Sequence, residues 1–265
     1  MPRVDVDAAL DELFLRSSII YGVSRAGKTI LNASMPRPAI FASEREGGYK
    51  SVQTMDRSLW YEPDMKPIIY TISSIKEMLP YFKEVEEHTK KGRIKTIVVE
   101  LSFYSEDIIR SMTSAEEKNG WAKYKLLDDH IQWLDATAKR LGVRIAYNAL
   151  AADPGDLTTK APAGIYVAGK ALARKLPAAT DLTGYLRTED IGARIDRILH
   201  LTPYGAYPAG HRYGAKLPPF VRNATYRKLE DLIMGRATVD EYGNVVYGEG
   251  AGANGSAAAE LPPLA

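Results

Sequence analysis

The eight residues Gly22-Val23-Ser24-Arg25-Ala26-Gly27-Lys28-Thr29 fit the phosphate-binding pattern G-x-x-x-x-G-K-[ST] at every fixed position. The chemistry needs this spacing because the two glycines let the chain turn backbone N–H groups toward one centre, where they form an anion cradle. Lys28 then has the reach for β- and γ-phosphates, and the Thr29 hydroxyl is placed to ligate Mg²⁺. The flanks suit the motif: Ile19-Ile20-Tyr21 reads as a strand before it, and Thr29-Ile30-Leu31 can open a helix after it. The expected ligands are ATP and Mg²⁺, with Gly22 through Ile30 lining the phosphates.

Such loops work with a carboxylate at the end of a second apolar strand, which orders Mg²⁺ through water. Thr96-Ile97-Val98-Val99-Glu100 supplies one, with Glu where Asp is usual, so the carboxylate sits one methylene further out. Hydrolysis also needs a group to orient the attacking water. Glu44 and Glu46 follow the apolar Ala39-Ile40-Phe41-Ala42 and precede Gly47-Gly48, with Glu46 preferred and Glu44 in reserve. Both are equally at home in a solvated loop. Asn148, closing a later apolar run, is the polar group placed to sense a γ-phosphate.

Composition narrows the alternatives. The 265 residues contain no Cys, which excludes disulfide frameworks, thiolate metal sites and cysteine nucleophiles. His88, His130, His200 and His211 stand singly, without the i, i+4 spacing of a histidine metal site. Met1 to Arg16 carries Asp5, Asp7, Asp11 and Glu12 and lacks the basic start and apolar run of a signal peptide. No apolar segment approaches the ~20 residues that cross a bilayer, so the expectation is a cytoplasmic protein without a membrane partner. Net charge is +2, yet residues 160–228 hold 12 Lys and Arg against four acids, a local +8 that suits either phosphate contact or a solvated surface.

Short apolar runs alternating with longer helical periods predict an α/β fold with a mostly parallel central sheet flanked by helices. The predicted strands are Ser18 to Tyr21, Ala39 to Ala42, Ile68 to Thr71, Lys95 to Leu101 and Arg144 to Asn148. Ser74 with Glu77 reads as a capping box opening a helix to about His88. Apolar residues at 121, 124, 127, 131, 134, 138 and 141 mark one stripe of a long helix capped by Gly142. Beyond Asp153, Pro and Gly predict a long loop. Leu182 to Leu186 and Ile195 to Leu201 then read as C-terminal antiparallel strands, with a short helix near Tyr226 to Met234. Residues 1–16 read as an extension, 17–235 as one domain and 236–265 as a tail, disordered from about Gly248.

These residues together resemble the RecA-like P-loop ATPases of bacteriophages, including core-only recombinases that anneal single strands. The resemblance rests on Gly22 to Thr29, Pro38-Ala39-Ile40-Phe41 leading to Glu46-Gly47-Gly48, Ile97 to Glu100, and Trp121-Ala122-Lys123-Tyr124 opening the helix that ends in Leu141-Gly142-Val143. It continues with Leu176-Pro177 before Asp181 and His211-Arg212-Tyr213-Gly214 before Leu217-Pro218-Pro219. It implies a RecA-like ATP-binding domain over residues 17–235, DNA-stimulated ATP hydrolysis, and a homo-oligomer in a ring or filament, located in the host cytoplasm if phage-encoded. It also implies single-stranded DNA contacts from loops near 102–120 and 151–180, so that Lys160, Lys170, Arg174 and Lys175 would meet phosphates. Phe103 and Tyr104 would stack on bases there, or else pack in the core. Arg212, with Lys216 as substitute, would reach a neighbouring subunit's γ-phosphate. Glu100 for Asp, Leu150 near the place of an expected His, and Gly210-His211 where a Lys is usual all depart from the pattern. Nucleotide binding is therefore implied more directly than rapid turnover, and the alternative is a non-hydrolysing nucleotide-binding assembly component.

Overall fold

A computed structural model describes residues 16–45, 47–111, 120–152, 164–168, 170–192 and 194–248. The chain is an α/β domain built on one ten-stranded sheet. Strands β1 (Ser17–Gly22), β2 (Pro38–Ser43), β3 (Ile68–Ile72), β4 (Thr96–Glu100), β5 (Arg144–Ala151) and β7 (Leu182–Asp190) run parallel in the order β7-β1-β5-β4-β2-β3. Of the two C-terminal strands predicted to be antiparallel, Leu182 to Leu186 lies in β7 and instead runs parallel to β1, whereas β8 (Ile195–His200) is antiparallel to β7 and is followed by β10 (Phe220–Arg222). Short strands β6 (Ile165–Tyr166) and β9 (Gly210–His211) pair with β5 and β7.

The period-2 pattern of the strands sends alternate residues to two cores, one on each face. Ile19, Tyr21, Phe41, Ile97, Val99 and Tyr147 face one cluster, packed under helices α3 (Ile75–Lys90), α4 (Leu101–Ser111), α5 (Gly120–Leu141) and α6 (Lys170–Ala179). Ile20, Ile40, Val98 and Ala146 face the other, covered by α1 (Lys28–Ala33), α2 (Tyr49–Gln53) and α7 (Tyr226–Ile233). Phe41 is the pivot of the first core, stacked on Tyr70 at 5.0 Å and on Phe82 at 5.3 Å. Those contacts fix the end of β2, which matters below because Ser43 holds a site carboxylate.

Several sequence expectations change. The segment predicted as a DNA loop from Ser102 begins as α4, with the chain passing straight from β4 into the helix at Glu100–Leu101. Phe103 and Tyr104 are buried on that helix, in keeping with the core-packing reading of the two. The loop predicted over 151–180 contains β6 and α6 in its described part. Glu77 does reach back to cap α3, but it bonds the Ser73 N–H and hydroxyl at 2.8 and 2.6 Å, while Ser74 makes no side-chain cap. The stripe of α5 is buried at Leu127, Ile131, Leu134 and Ala138, whereas Tyr124 is exposed. A 22-residue helix is about 33 Å long against about 26 Å for the eight residues of β5, so its first turns run past the sheet. Within the segment read as a tail, β11 (Thr238–Val239) and β12 (Val245–Val246) form a small hairpin.

Candidate functional site

The loop Gly22–Thr29 leaves the C-terminal end of β1, between β5 and β7, at the sheet edge where parallel α/β folds hold ligands. Gly22 is required by close approach, since a Cβ there would collide with the Leu186 carbonyl oxygen of β7. Val23, Ser24 and Arg25 are exposed, and Ala26 is buried as the loop's anchor. Arg25 has φ 63° and Gly27 φ 94°, so the turn into α1 passes twice through the left-handed region, once at the residue type that favours it. Gly27 then accepts from Leu31 N–H at 3.0 Å, the first turn of α1. Lys28 folds over the loop and donates to the Gly22 and Val23 carbonyls at 3.1 and 2.7 Å.

Strand register brings the other polar residues to the same face. Asn148 on β5 is level with Ile20 on one side and Glu100 on the other. Its Oδ1 accepts from Asn32 of α1 at 2.7 Å, while its Nδ2 is buried with no partner among the described residues. Glu100 is buried, and its Oε2 accepts from the Ser43 N–H at 2.7 Å. Its Oε1 and the Thr29 Oγ1 both flank Gly48: a Cβ there would lie 2.7 Å from the first and 3.3 Å from the second. Loop hydroxyl and strand-end carboxylate therefore converge on one point that only glycine leaves open. Among the described residues no three or more His, Asp or Glu gather as a metal cage. Hydroxyl, carboxylate and phosphate oxygens are the donor set that Mg²⁺ accepts, usually alongside several waters, so the residues fit a Mg–nucleotide.

The other predicted residues fall elsewhere. Glu44 is exposed just past β2, and Glu46 lies outside the described residues. Arg212 pairs with Asp181 at 3.3 Å and donates to the Ala178 carbonyl at 2.8 Å. Asp181 in turn bonds Ser17, at the opposite end of β1 from the loop, so Arg212 stands away from its own subunit's loop. Lys216 is exposed nearby. Arg174 and Lys175 are exposed on α6, with Lys175 3.8 Å from Asp128, while Lys160 and the Lys170 side chain lie outside what is described. Much of the +8 segment is internally paired: Arg222 with Asp196 and Glu189, Arg187 with Glu189, Arg194 with Asp196.

One neighbour of the loop was not foreseen. Arg197 of β8 lies across Gly27, where a Cβ would overlap its Nε and stand 2.6 Å from its Cδ. Burial pushes this guanidinium below its usual pKa. A lone Arg in a strand next to Asp196 looks from sequence like a surface pair.

A family profile described as an AAA domain matches residues 16–213, three quarters of the chain, from the residue before β1 to just past β9. The chain belongs to the AAA-domain family. No curated protein matches the sequence. The family is of the P-loop NTPase type, and membership implies nucleotide binding, typically with Mg²⁺. Among the described residues no helix is long and apolar enough to cross a membrane.

Proposed function

We propose that the chain is a Mg–ATP-binding ATPase of the RecA-like kind found in phages, which uses the nucleotide to organise or anneal single-stranded DNA. The observation that carries the nucleotide reading is the meeting of Thr29 and Glu100 at Gly48, beside the loop of β1. Lys28 leaves its loop carbonyls to take the β- and γ-phosphates, joined by the amides of residues 22–30. Thr29 and Glu100 hold Mg²⁺, directly or through water, and the bound ion supplies charge neutralisation on the phosphates. Asn148, with a buried amide donor to satisfy, is placed to report on the terminal phosphate. Glu46, with Glu44 in reserve, orients water, and Arg212 acts on a neighbouring copy in a ring or filament.

The DNA reading is supported by the resemblance and by Arg174 and Lys175 on the open face of α6. Two measurements test the whole. Lys28→Ala, folded by circular dichroism, is expected to lose ATP binding; unchanged affinity would refute the loop assignment. Single-stranded DNA is expected to stimulate phosphate release and to bind with a steep salt dependence that Arg174→Ala with Lys175→Ala reduces. Tight ATP binding without turnover would identify the non-hydrolysing assembly component instead, and no DNA binding at low salt would remove the annealing role.

A further inference from the structure

Most arginines near the C-terminal strands have a carboxylate. Asp196 is taken by Arg222 at 2.7 Å and Arg194 at 3.3 Å, and Glu189 by Arg222 at 2.9 Å and Arg187 at 3.3 Å. Arg197 is different. Its Nε is buried with no hydrogen-bond partner, and no ion pair forms to it among the described residues. Asp196, its neighbour in sequence, points to the opposite face of β8 and is already engaged. A desolvated cation without a counter-charge is costly to a fold, which keeps buried charges paired or held for a ligand.

The backbone around Arg197 is held firmly. Its N–H donates to Asn223 Oδ1 at 2.9 Å and its carbonyl accepts from the Asn223 N–H at 2.7 Å. Asn223 adopts φ 47° to make both bonds, a conformation that asparagine tolerates better than most residues. The Arg197 side chain thereby forms one wall of a small open cleft of about 20 Å³ that also includes Gly27, Ile30, Met55, Leu186 and Ala224. Ser34 and Asn223, which also line it, have their side-chain oxygens engaged in internal bonds. Strand order puts this cleft on the β7–β8 flank of β1, whereas Thr29 and Glu100 meet on the β5–β4 flank. A nucleotide whose phosphate tail points toward Glu100 therefore has its α-phosphate, ribose and base on the side of Arg197.

We propose that Arg197, which lies across Gly27 of the loop, is a nucleotide-binding residue supplied by the same subunit, which donates to the α-phosphate and ribose end of a nucleoside di- or triphosphate held by that loop. The assignment rests on the nucleotide reading of the loop and adds to it a second cation, on the flank opposite the metal. Because its donors face the part that ATP and ADP share, Arg197 contributes to both equally and independently of Mg²⁺.

The test is titration of wild type, Arg197→Met, Arg197→Lys and Lys28→Ala with ATP and ADP, with and without Mg²⁺, alongside thermal unfolding of each free protein. Arg197→Met is expected to weaken ATP and ADP by the same factor, about tenfold to a hundredfold for a lost charge-assisted hydrogen bond, with its Mg²⁺ dependence unchanged. Its free form should melt at or above the wild-type temperature, because a desolvated cation has been replaced by an apolar chain of similar length; a purely structural arginine would lower it. Arg197→Lys should recover part of the affinity. Wild-type affinity in a folded Arg197→Met, or loss confined to ATP, would overturn the assignment while leaving the loop reading intact. If wild type binds neither nucleotide, the loop reading itself fails and takes this one with it.

Discussion

A single methyl group at residue 48 probes the proposed metal site. Gly48 has φ −57° and ψ −28°, open to any residue, so Gly48→Ala adds no backbone strain and gains about 0.4–1 kcal/mol by restricting the unfolded chain. Against this, the new Cβ would stand 2.7 Å from Glu100 Oε1, well inside an ordinary carbon–oxygen contact, and 3.3 Å from Thr29 Oγ1. Glu100 must withdraw. Its withdrawal breaks the 2.7 Å bond from the Ser43 N–H, and a buried donor left without an acceptor costs about 1–3 kcal/mol. The difference is a net loss of about 1 kcal/mol, or about 2–4 °C in Tm for a chain of this size. The larger effect falls on the metal. A fluorescent ATP analogue titrated with and without Mg²⁺ should show that the variant keeps metal-free binding, because Lys28 and the loop amides are untouched. It should lose most of the gain that Mg²⁺ gives the wild type. A folded variant that keeps the full Mg²⁺-dependent gain would show that Thr29 and Glu100 do not share an ion.

Three further predictions follow from the same contacts. Gly22→Ala forces β1 away from the Leu186 carbonyl and should cost about 3 kcal/mol or more in chemical denaturation, as overpacking against backbone does; an unchanged midpoint would refute the close approach. His200, stacked on Tyr204 at 4.0 Å and accepting from Arg187 Nε at 3.0 Å, is pushed from 6.5 down to about 4 by burial and by the Arg187 charge, with Glu189 opposing. Its neutral form is favoured in the fold, so its contribution is complete above pH 6.5 and is lost as pH falls toward 4, at no more than about 1.4 kcal/mol per pH unit. His200→Gln should flatten stability against pH in that window relative to wild type, and parallel curves would contradict the assignment. Arg212→Ala, at the far end of β1, should leave ATP affinity unchanged while lowering turnover in the assembled protein; weaker ATP binding by the isolated chain would place Arg212 at its own loop.

The parallel strands β1 to β5 were legible because each is a short apolar run, and α5 because its spacing of three and four cannot be sheet; the direction of β7 was not, since its residues carry no sign of which neighbour it pairs with. The misread helices had weaker periods. In α6, Leu172 and Leu176 are one turn apart among alanines, a helical signal, but Pro154, Gly155, Pro162, Gly164 and Gly169 before it predict a loop. Pro177 is inside the helix near its end. In α4, Phe103, Tyr104 and Ile108 form the buried face, whereas the family resemblance implies a DNA loop there. At the site, the loop and Glu100 could be found in the sequence because a motif and a strand end carry them. Gly48 and Arg197 could not, since each acts through what it lies against: a carboxylate 52 positions away, and a glycine 170 positions away.

The distribution of partners changes the meaning of the basic segment. Counted along the chain, residues 160–228 look like one +8 surface. In the fold, Arg187, Arg194, Arg212 and Arg222 neutralise Glu189, Asp181 and Asp196, tying β7, β8 and β10 to one another. Arg227 caps the Tyr61 carbonyl at 2.6 Å and stacks on its ring. Among the described residues, Arg174, Lys175 and Lys216 are exposed, and Arg197 lies beside the loop. Charge that looked like a DNA surface in the sequence is thus arranged mainly as a brace between the C-terminal strands, with one cation of the brace turned toward the phosphate loop.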